Sequence, residues 1–199
     1  MPTDRPRLIL ASTSVYRKQL LERLRLPFDT QAPGVDETAL PGETPADLAL
    51  RLAQAKAHAI AVNAPGAVVI GSDQVAVCAG EALGKPGDFD HAFAQLRRMA
   101  GQDVAFHSAL AVTDGTRTEV ADVITHCRLR PLTDAQLIAY LKAETPYDTA
   151  GSAKAEALGI ALMERIDSDD PTALIGLPLI ALTRMLASFG LDPLDGGAA

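Results

Sequence analysis

The sequence predicts an α/β protein built on a mixed, twisted sheet flanked by helices. Short runs of small and β-branched apolar residues, such as Leu8–Ala11 and Ala67–Ile70, interleave with longer stretches at helical spacing. Two apolar runs, Val104–Val112 and Thr118–Leu129, are joined only by a short segment containing Asp114-Gly115, so they read as an antiparallel hairpin and exclude a purely parallel sheet. The 199 residues, 48% hydrophobic and 22% charged, suffice for a sizeable core in one large domain or two closely joined lobes.

The elements follow in order. Leu8–Ala11 is a strand, and Ser14 is the expected N-cap of a helix whose apolar face carries Leu20, Leu21 and Leu24. A second strand is expected near Phe28–Ala32, with Val35-Asp36-Glu37 leading into a polar loop. Thr44-Pro45-Ala46-Asp47 opens a helix to about Ala61, since it sets a capping Thr before Pro at the first helical position. The strand over 67–70 is expected to end at Gly71-Ser72-Asp73-Gln74, followed by Val75–Cys78 and a turn. A helix is expected over Asp90–Met99, and along the second hairpin arm Val120, Asp122, Ile124 and His126 share one face. Thr133-Asp-Ala-Gln136 is a capping box for a helix to about Glu144. The small-residue loop Thr149–Lys154 precedes a strand over Ile160–Ile166, and the last helix runs from Pro178 to Gly190. The tail from Asp195 to Ala199 is expected to fray.

Composition removes several function classes. Eighteen Lys and Arg against 25 Asp and Glu give a formal net charge of -7, which lacks the basic footprint of a nucleic-acid binder. Aromatics at 4%, without Trp, offer no stacking platform for bases. No run approaches the ~20 apolar residues that span a bilayer, and MPTDRPR lacks the apolar core of a signal peptide. Cys78 and Cys127 form no CxxC or Cys/His cluster and read as two buried thiols of a reducing compartment. A cytoplasmic protein is expected, without membrane or nucleic-acid partner.

The chemistry-bearing residues are scattered. In Ala11-Ser-Thr-Ser-Val-Tyr-Arg-Lys18 a strand-to-helix turn carries Ser12 and Ser14, with Arg17 and Lys18 in the first helical turn. Helix N-termini attract phosphate and disfavour cations, so these bases suit an anionic ligand or else point into solvent. There is no GxxxxGK[ST] and no GxGxxG after a strand, which excludes the common nucleotide loops. Asp73, within three residues of a buried run, is either a turn former or a working group at the lip of the sheet. With Glu37 it makes a candidate carboxylate pair for a hard divalent cation such as Mg²⁺. Lys56, on a helix among alanines, Lys85 in Gly-Lys-Pro and Lys154 after the small-residue loop complete five candidate phosphate-binding bases. The four histidines show no ligand spacing.

Taken together, LILASTSVYRKQLL, PGVDET, LALRLAQAKA, VVIGSDQV, LGKP, AGSAKAEALGI and LIGLPLIALTRML resemble the Maf-like nucleoside triphosphate pyrophosphatases in order, over about residues 7–194. The resemblance implies a single Maf-like domain over 1–199, two α/β lobes around a cleft in the inosine triphosphatase architecture. It implies hydrolysis of a nucleoside triphosphate to the monophosphate and pyrophosphate with Mg²⁺ or Mn²⁺, with a small-molecule nucleotide as partner. Carried over by position, Asp73 matches the catalytic proton acceptor, and Ser12, Arg17, Glu37, Lys56, Lys85 and Lys154 match polar groups lining the site. The positions that separate substrates fall on Tyr16, Gln74 and Glu156, which are similar to the branch acting on 7-methyl-GTP. The dTTP/UTP branch has Arg, Thr and Gln there. A dTTP or UTP pyrophosphatase, a non-catalytic nucleotide-binding regulator of cell division, and a homodimeric state all stay open at this level.

Overall fold

The computed structural model describes residues 5–195, so Gly196–Ala199 of the expected frayed tail lie outside the described residues. The strands are β1 (Leu8–Ala11), β2 (Asp29–Gln31), β3 (Val68–Cys78), β4 (Glu81–Leu83), β5 (Asp103–Thr113), β6 (Thr118–Leu129) and β7 (Met163–Asp167). The helices are α1 (Val15–Glu22), α2 (Pro45–Ala61), α3 (Phe89–Met99), α4 (Asp134–Glu144) and α5 (Leu179–Ser188). The strand order is β2-β1-β3-β5-β6-β7, with β4 paired to β3. β1 runs parallel to β2 and β3, whereas β4 opposes β3 and β7 opposes β6. This is the mixed α/β sheet that the sequence predicts.

The chain divides into two compact units. One gathers the residues up to Asp73, Ser108–Val123 and the segment from Asp170 onward; the other gathers Gln74–His107 and Ile124–Asp169.

In the first unit β1 and β3 alternate as buried parallel strands must. Leu8, Leu10, Val68 and Ile70 form one apolar core with Leu20 and Leu21 of α1 and with Leu182, Met185 and Leu186 of α5. Each fully buried leucine contributes about 1.5–3 kcal/mol. The residues between them in β3 face α2, and there Gly71 is decisive. A Cβ at Gly71 would run into the Ala53 carbonyl and lie 2.7 Å from the Ala57 nitrogen, so α2 packs directly on the strand backbone. The buried stripe of α2, Ala49, Leu52, Ala53, Lys56, Ala57 and Ile60, recurs at helical spacing and is small enough for that approach. Thr44 caps α2 by accepting from the Asp47 amide at 3.2 Å, and Pro45 opens it as expected.

In the second unit Ala92 and Leu96 of α3 pack with Leu137, Tyr140 and Leu141 of α4 and with Leu162, and the Phe89 and Phe93 rings stack at 6.4 Å. Asp88 caps α3 through the His91 amide at 2.9 Å. Both halves of the expected capping box form at Thr133 and Gln136. Cys127 and Cys78 are buried, and burial pushes the Cys127 thiol up to about 12 and raises that of Cys78.

Two expectations, the end of the third strand and the start of the last, are corrected, and two others are refined. Residues 68–78 form one continuous strand, so Asp73 lies within β3 and not at its end. What ends there is the neighbour: Ala11 pairs with Gly71, and β1 then leaves the sheet at Ser12. The polar residues that suggested a strand end are satisfied inside the protein, Ser72 by the Gly176 carbonyl and Asp73 by Lys56. The turn after Cys78 is a full hairpin into β4, made possible by positive φ at Ala79 and Gly80. The second strand is three residues long. The strand expected over 160–166 begins only at Met163, because a 3₁₀ segment covers Leu158–Leu162.

Gly71→Ala is expected to lower stability by about 1–3 kcal/mol, since a methyl group there must push α2 off the strand. Urea unfolding of the purified variant checks this; an unchanged midpoint and slope would mean that α2 and β3 are not in direct contact.

Candidate active site

In the first unit, the face that holds Gly71 also holds Asp73, two residues further along β3. Lys56 lies in the buried stripe of α2 that covers this face, and its Nζ donates to Asp73 Oδ1 at 2.6 Å. The same ammonium lies 2.6 Å from Glu37 Oε1. Lys56 and Asp73 are buried at 5% and 8% exposure, whereas the Glu37 side chain is half exposed. An ammonium taken out of water needs such partners, and two carboxylates supply them. Asp73 Oδ2 carries no further hydrogen bond among the described residues, so one oxygen of a buried carboxylate is left to accept a proton or a ligand.

The turn from β1 into α1 is locked by its own hydroxyls. Ser12 Oγ accepts from the Ser14 amide at 3.1 Å, and Ser14 Oγ caps the helix through the Arg17 amide at 3.4 Å. Arg17 is half buried and its Nε donates to the Gly176 carbonyl at 2.9 Å. Burial holds the Arg17 guanidinium below the usual arginine range, opposed by the charges of Asp73 and Glu37, and it remains a cation. Gly176 has a φ of +113°, where a side chain is strained, and its carbonyl also accepts from Ser72 Oγ at 3.1 Å. Asp170 and Thr172 fix the loop behind it: Asp170 Oδ2 caps the Ile180 amide at 2.7 Å, and Thr172 donates to the Leu177 carbonyl at 2.9 Å. Lys18, by contrast, points to solvent with Glu22 4.0 Å away.

Glu37 sits in an irregular segment held against α2. Arg51 meets Glu43 with two hydrogen bonds, Nε to Oε1 at 2.6 Å and Nη2 to Oε2 at 2.9 Å, and Nη2 also donates to the Thr38 carbonyl at 3.0 Å. The Arg51 guanidinium holds the Glu43 carboxyl down to about 2.

The second unit carries the remaining predicted residues. Lys154 is mostly buried, its Nζ 3.7 Å from Asp148 and 3.5 Å from the Glu144 carbonyl. Its backbone amide donates to the Tyr140 hydroxyl at 3.0 Å, which donates to the Ser152 carbonyl at 3.1 Å. Ser152 in turn donates to Gln95, and Gln95 to the Gly84 carbonyl, so the loops of Lys154 and Lys85 share one network. Lys85 itself is exposed, with no ion pair among the described residues. Gln74 is half buried and Glu156 exposed in this unit, whereas Tyr16 is half buried on α1 of the first.

Of the predicted residues, the structure thus joins Glu37, Lys56 and Asp73 in one contact cluster and seats Ser12, Ser14 and Arg17 on one turn. Sequence reasoning missed Arg51, Glu43, Ser72, Gly176 and Asp170. Glu43, one residue before the Thr44 cap, was a legible signal for a partner further along the helix; the carbonyl of Gly176 left none.

Similarity to known proteins runs over nearly the whole chain. A family model described as Maf-like protein matches residues 7–189. The chain is 68% identical to the 7-methyl-GTP pyrophosphatase of Bordetella pertussis, covering all of both chains. It is 69% identical to that of Bordetella avium, over 95% of this chain and 96% of the relative. With that of Burkholderia thailandensis it shares 63% identity, over 98% and 93%.

The Glu43 carboxyl sets a pH signature. Its folded value is depressed from 4.5 to about 2, so the stability it contributes is complete above 4.5 and is lost as pH falls toward 2. Glu43→Gln is therefore expected to be less stable at pH 7, with a gap to the unaltered protein that narrows as pH is lowered below 4.5. Denaturant titrations at pH 7 and pH 3 measure it, and an equal gap at both would exclude the ionised pair as its source.

Proposed function

The chain belongs to the Maf-like family, and from that premise we propose that it is a nucleoside triphosphate pyrophosphatase acting on 7-methyl-GTP, which it cleaves to the monophosphate and pyrophosphate. The observation that carries the reading is the buried Asp73 carboxylate, tethered at Oδ1 by Lys56 and open at Oδ2. Such an oxygen can take a proton from a water attacking the α-phosphorus, while Lys56 holds the carboxylate in one orientation. Arg17, anchored through Nε on a neutral carbonyl, keeps its charge for the phosphate chain, and the N-terminus of α1 favours an anion. Lys85 and Lys154 are assigned to the departing pyrophosphate, and Lys18 to the outer phosphates.

A divalent cation, Mg²⁺ or Mn²⁺, fits the donors present. Glu37 and Asp73 each set one oxygen 2.6 Å from the Lys56 Nζ, which brings two hard oxygen donors together, and the ion would sit beside that ammonium rather than in its place. Among the described residues no group of three or more His, Cys, Asp or Glu could hold an ion unaided, which suits an ion whose other ligands are phosphate oxygens. When bound, it would neutralise the triphosphate and the charge that develops on it.

For base selection we assign Tyr16, Gln74 and Glu156. The 7-methylguanine ring is cationic, so stacking on Tyr16 contributes about 0.5–2 kcal/mol. Glu156 accepts from N1–H and the 2-amino group, donors that a pyrimidine does not present as a pair. Among the described residues no helix is long and apolar enough to cross a membrane, and two buried thiols suit a cytoplasmic setting.

Pyrophosphate release from 7-methyl-GTP, GTP, UTP and dTTP with Mg²⁺ or Mn²⁺ tests the proposal: 7-methyl-GTP should turn over fastest. Nucleotide binding without any hydrolysis would instead favour the regulator. Asp73→Asn is expected to lower kcat by about 10²–10⁴-fold, because an amide takes no proton, while circular dichroism stays unchanged. Full activity in that variant removes Asp73 from its role. Glu156→Gln should lower the kcat/KM ratio of 7-methyl-GTP over UTP by about tenfold, and an unaltered ratio would refute the base assignment.

A further inference from the structure

Glu37 belongs to no helix or strand and its side chain is half exposed, yet it ends 2.6 Å from the Lys56 ammonium. A half-exposed glutamate on an irregular segment samples many rotamers unless its backbone is held, and side-chain contacts alone do not fix that backbone. The anchoring lies beside it. Asp36 Oδ1 accepts from the Thr38 amide at 2.9 Å, closing a tight turn around Glu37. At the far end of the loop Glu43 Oε2 accepts from the Leu40 amide at 2.9 Å. Arg51 joins the two ends. Its fork holds both Glu43 oxygens, and its Nη2 also reaches the carbonyl of Thr38, the residue directly after Glu37. Arg51 lies on α2, the helix that carries Lys56. Glu37 and Lys56 are thus referred to the same rigid element, one through the chain and one through a guanidinium.

We propose that Arg51 is a positioning residue for the hydrolysis: with Glu43 it clamps residues 38–43 onto α2 and so aims Glu37 at Lys56 and Asp73. It touches none of the reacting groups itself. A planar fork with two parallel hydrogen bonds and a third to a backbone carbonyl fixes direction as well as distance, which a lysine cannot reproduce. The inference rests on Glu37 being part of the active site.

The test is a double-mutant cycle between Arg51→Ala and Glu37→Gln, read as kcat for 7-methyl-GTP and, separately, as the Kd for Mn²⁺. Arg51→Ala should lower kcat and weaken Mn²⁺ binding by about 10–100-fold, the usual effect of losing a group that orients a ligand. In the Glu37→Gln background, removing Arg51 should change either quantity by less than about twofold, because nothing is left to aim. Should Arg51→Ala fail to fold, Glu43→Gln removes one side of the clamp and must give the same pattern. Losses of equal factor in both backgrounds would overturn the proposal by making Arg51 a general prop of the fold. Full activity and full Mn²⁺ affinity in Glu37→Gln would instead sink the active-site reading on which the proposal stands. A crippled Glu37→Gln beside a fully active Arg51→Ala would sink the clamp alone.

Discussion

The direct approach of α2 to the backbone of β3 is the constraint on which the candidate site depends. Without a side chain at Gly71 the helix reaches the strand, and the alanines at 49, 53 and 57 keep the interval small. Only at that distance can Lys56, one step along the same buried stripe, close on Asp73 at 2.6 Å. A buried ammonium–carboxylate pair is poor value as a stabiliser, since desolvating two ions costs several kcal/mol each and well-packed apolar residues often do as well. Its presence among largely apolar buried residues is thus not accounted for by stability alone.

Charge bookkeeping around that pair separates two kinds of cation. Lys56 is matched by Glu37 and Asp73, and Arg51 by Glu43. These five residues together bring no excess positive charge, and the chain as a whole carries -7. Lys56 therefore carries no unmatched charge. Lys85, exposed and without an ion pair among the described residues, is of the other kind.

What was legible in the sequence follows the range of the forces involved. Caps are local, and Ser14, Thr44 and Thr133 each stand where a side-chain oxygen meets an amide two or three residues on. The hairpin at Asp114-Gly115 is equally local: Asp114 gathers the Thr116 and Arg117 amides, and of the face expected on the second arm Val120, Ile124 and His126 are exposed while Asp122 is half buried. Gly71-Ser72-Asp73 has the composition of a turn, yet the third strand continues through it. The partners that let these polar residues stay in a strand are 104 and 17 residues away. Lys56 among alanines was a visible anomaly, whereas the backbone acceptor at Gly176 was not, since a carbonyl is common to every residue type.

That carbonyl explains how an arginine can stand in the first turn of a helix, where the backbone dipole disfavours it. Arg17 turns to Gly176, and the oxygen it meets is a strong acceptor that carries no net charge. A carboxylate in that place would hold the guanidinium as firmly and cancel it. The neutral anchor fixes direction and leaves the charge intact, and Ser72 steadies the same oxygen from β3 while Asp170 and Thr172 brace its loop. Gly176 must be glycine for this to work: at a φ of +113° the carbonyl is presented by a backbone conformation that a side chain would strain. Arg17 is therefore fixed in direction without a carboxylate bonded to it, and Asp73 and Glu37 act on its charge only at longer range.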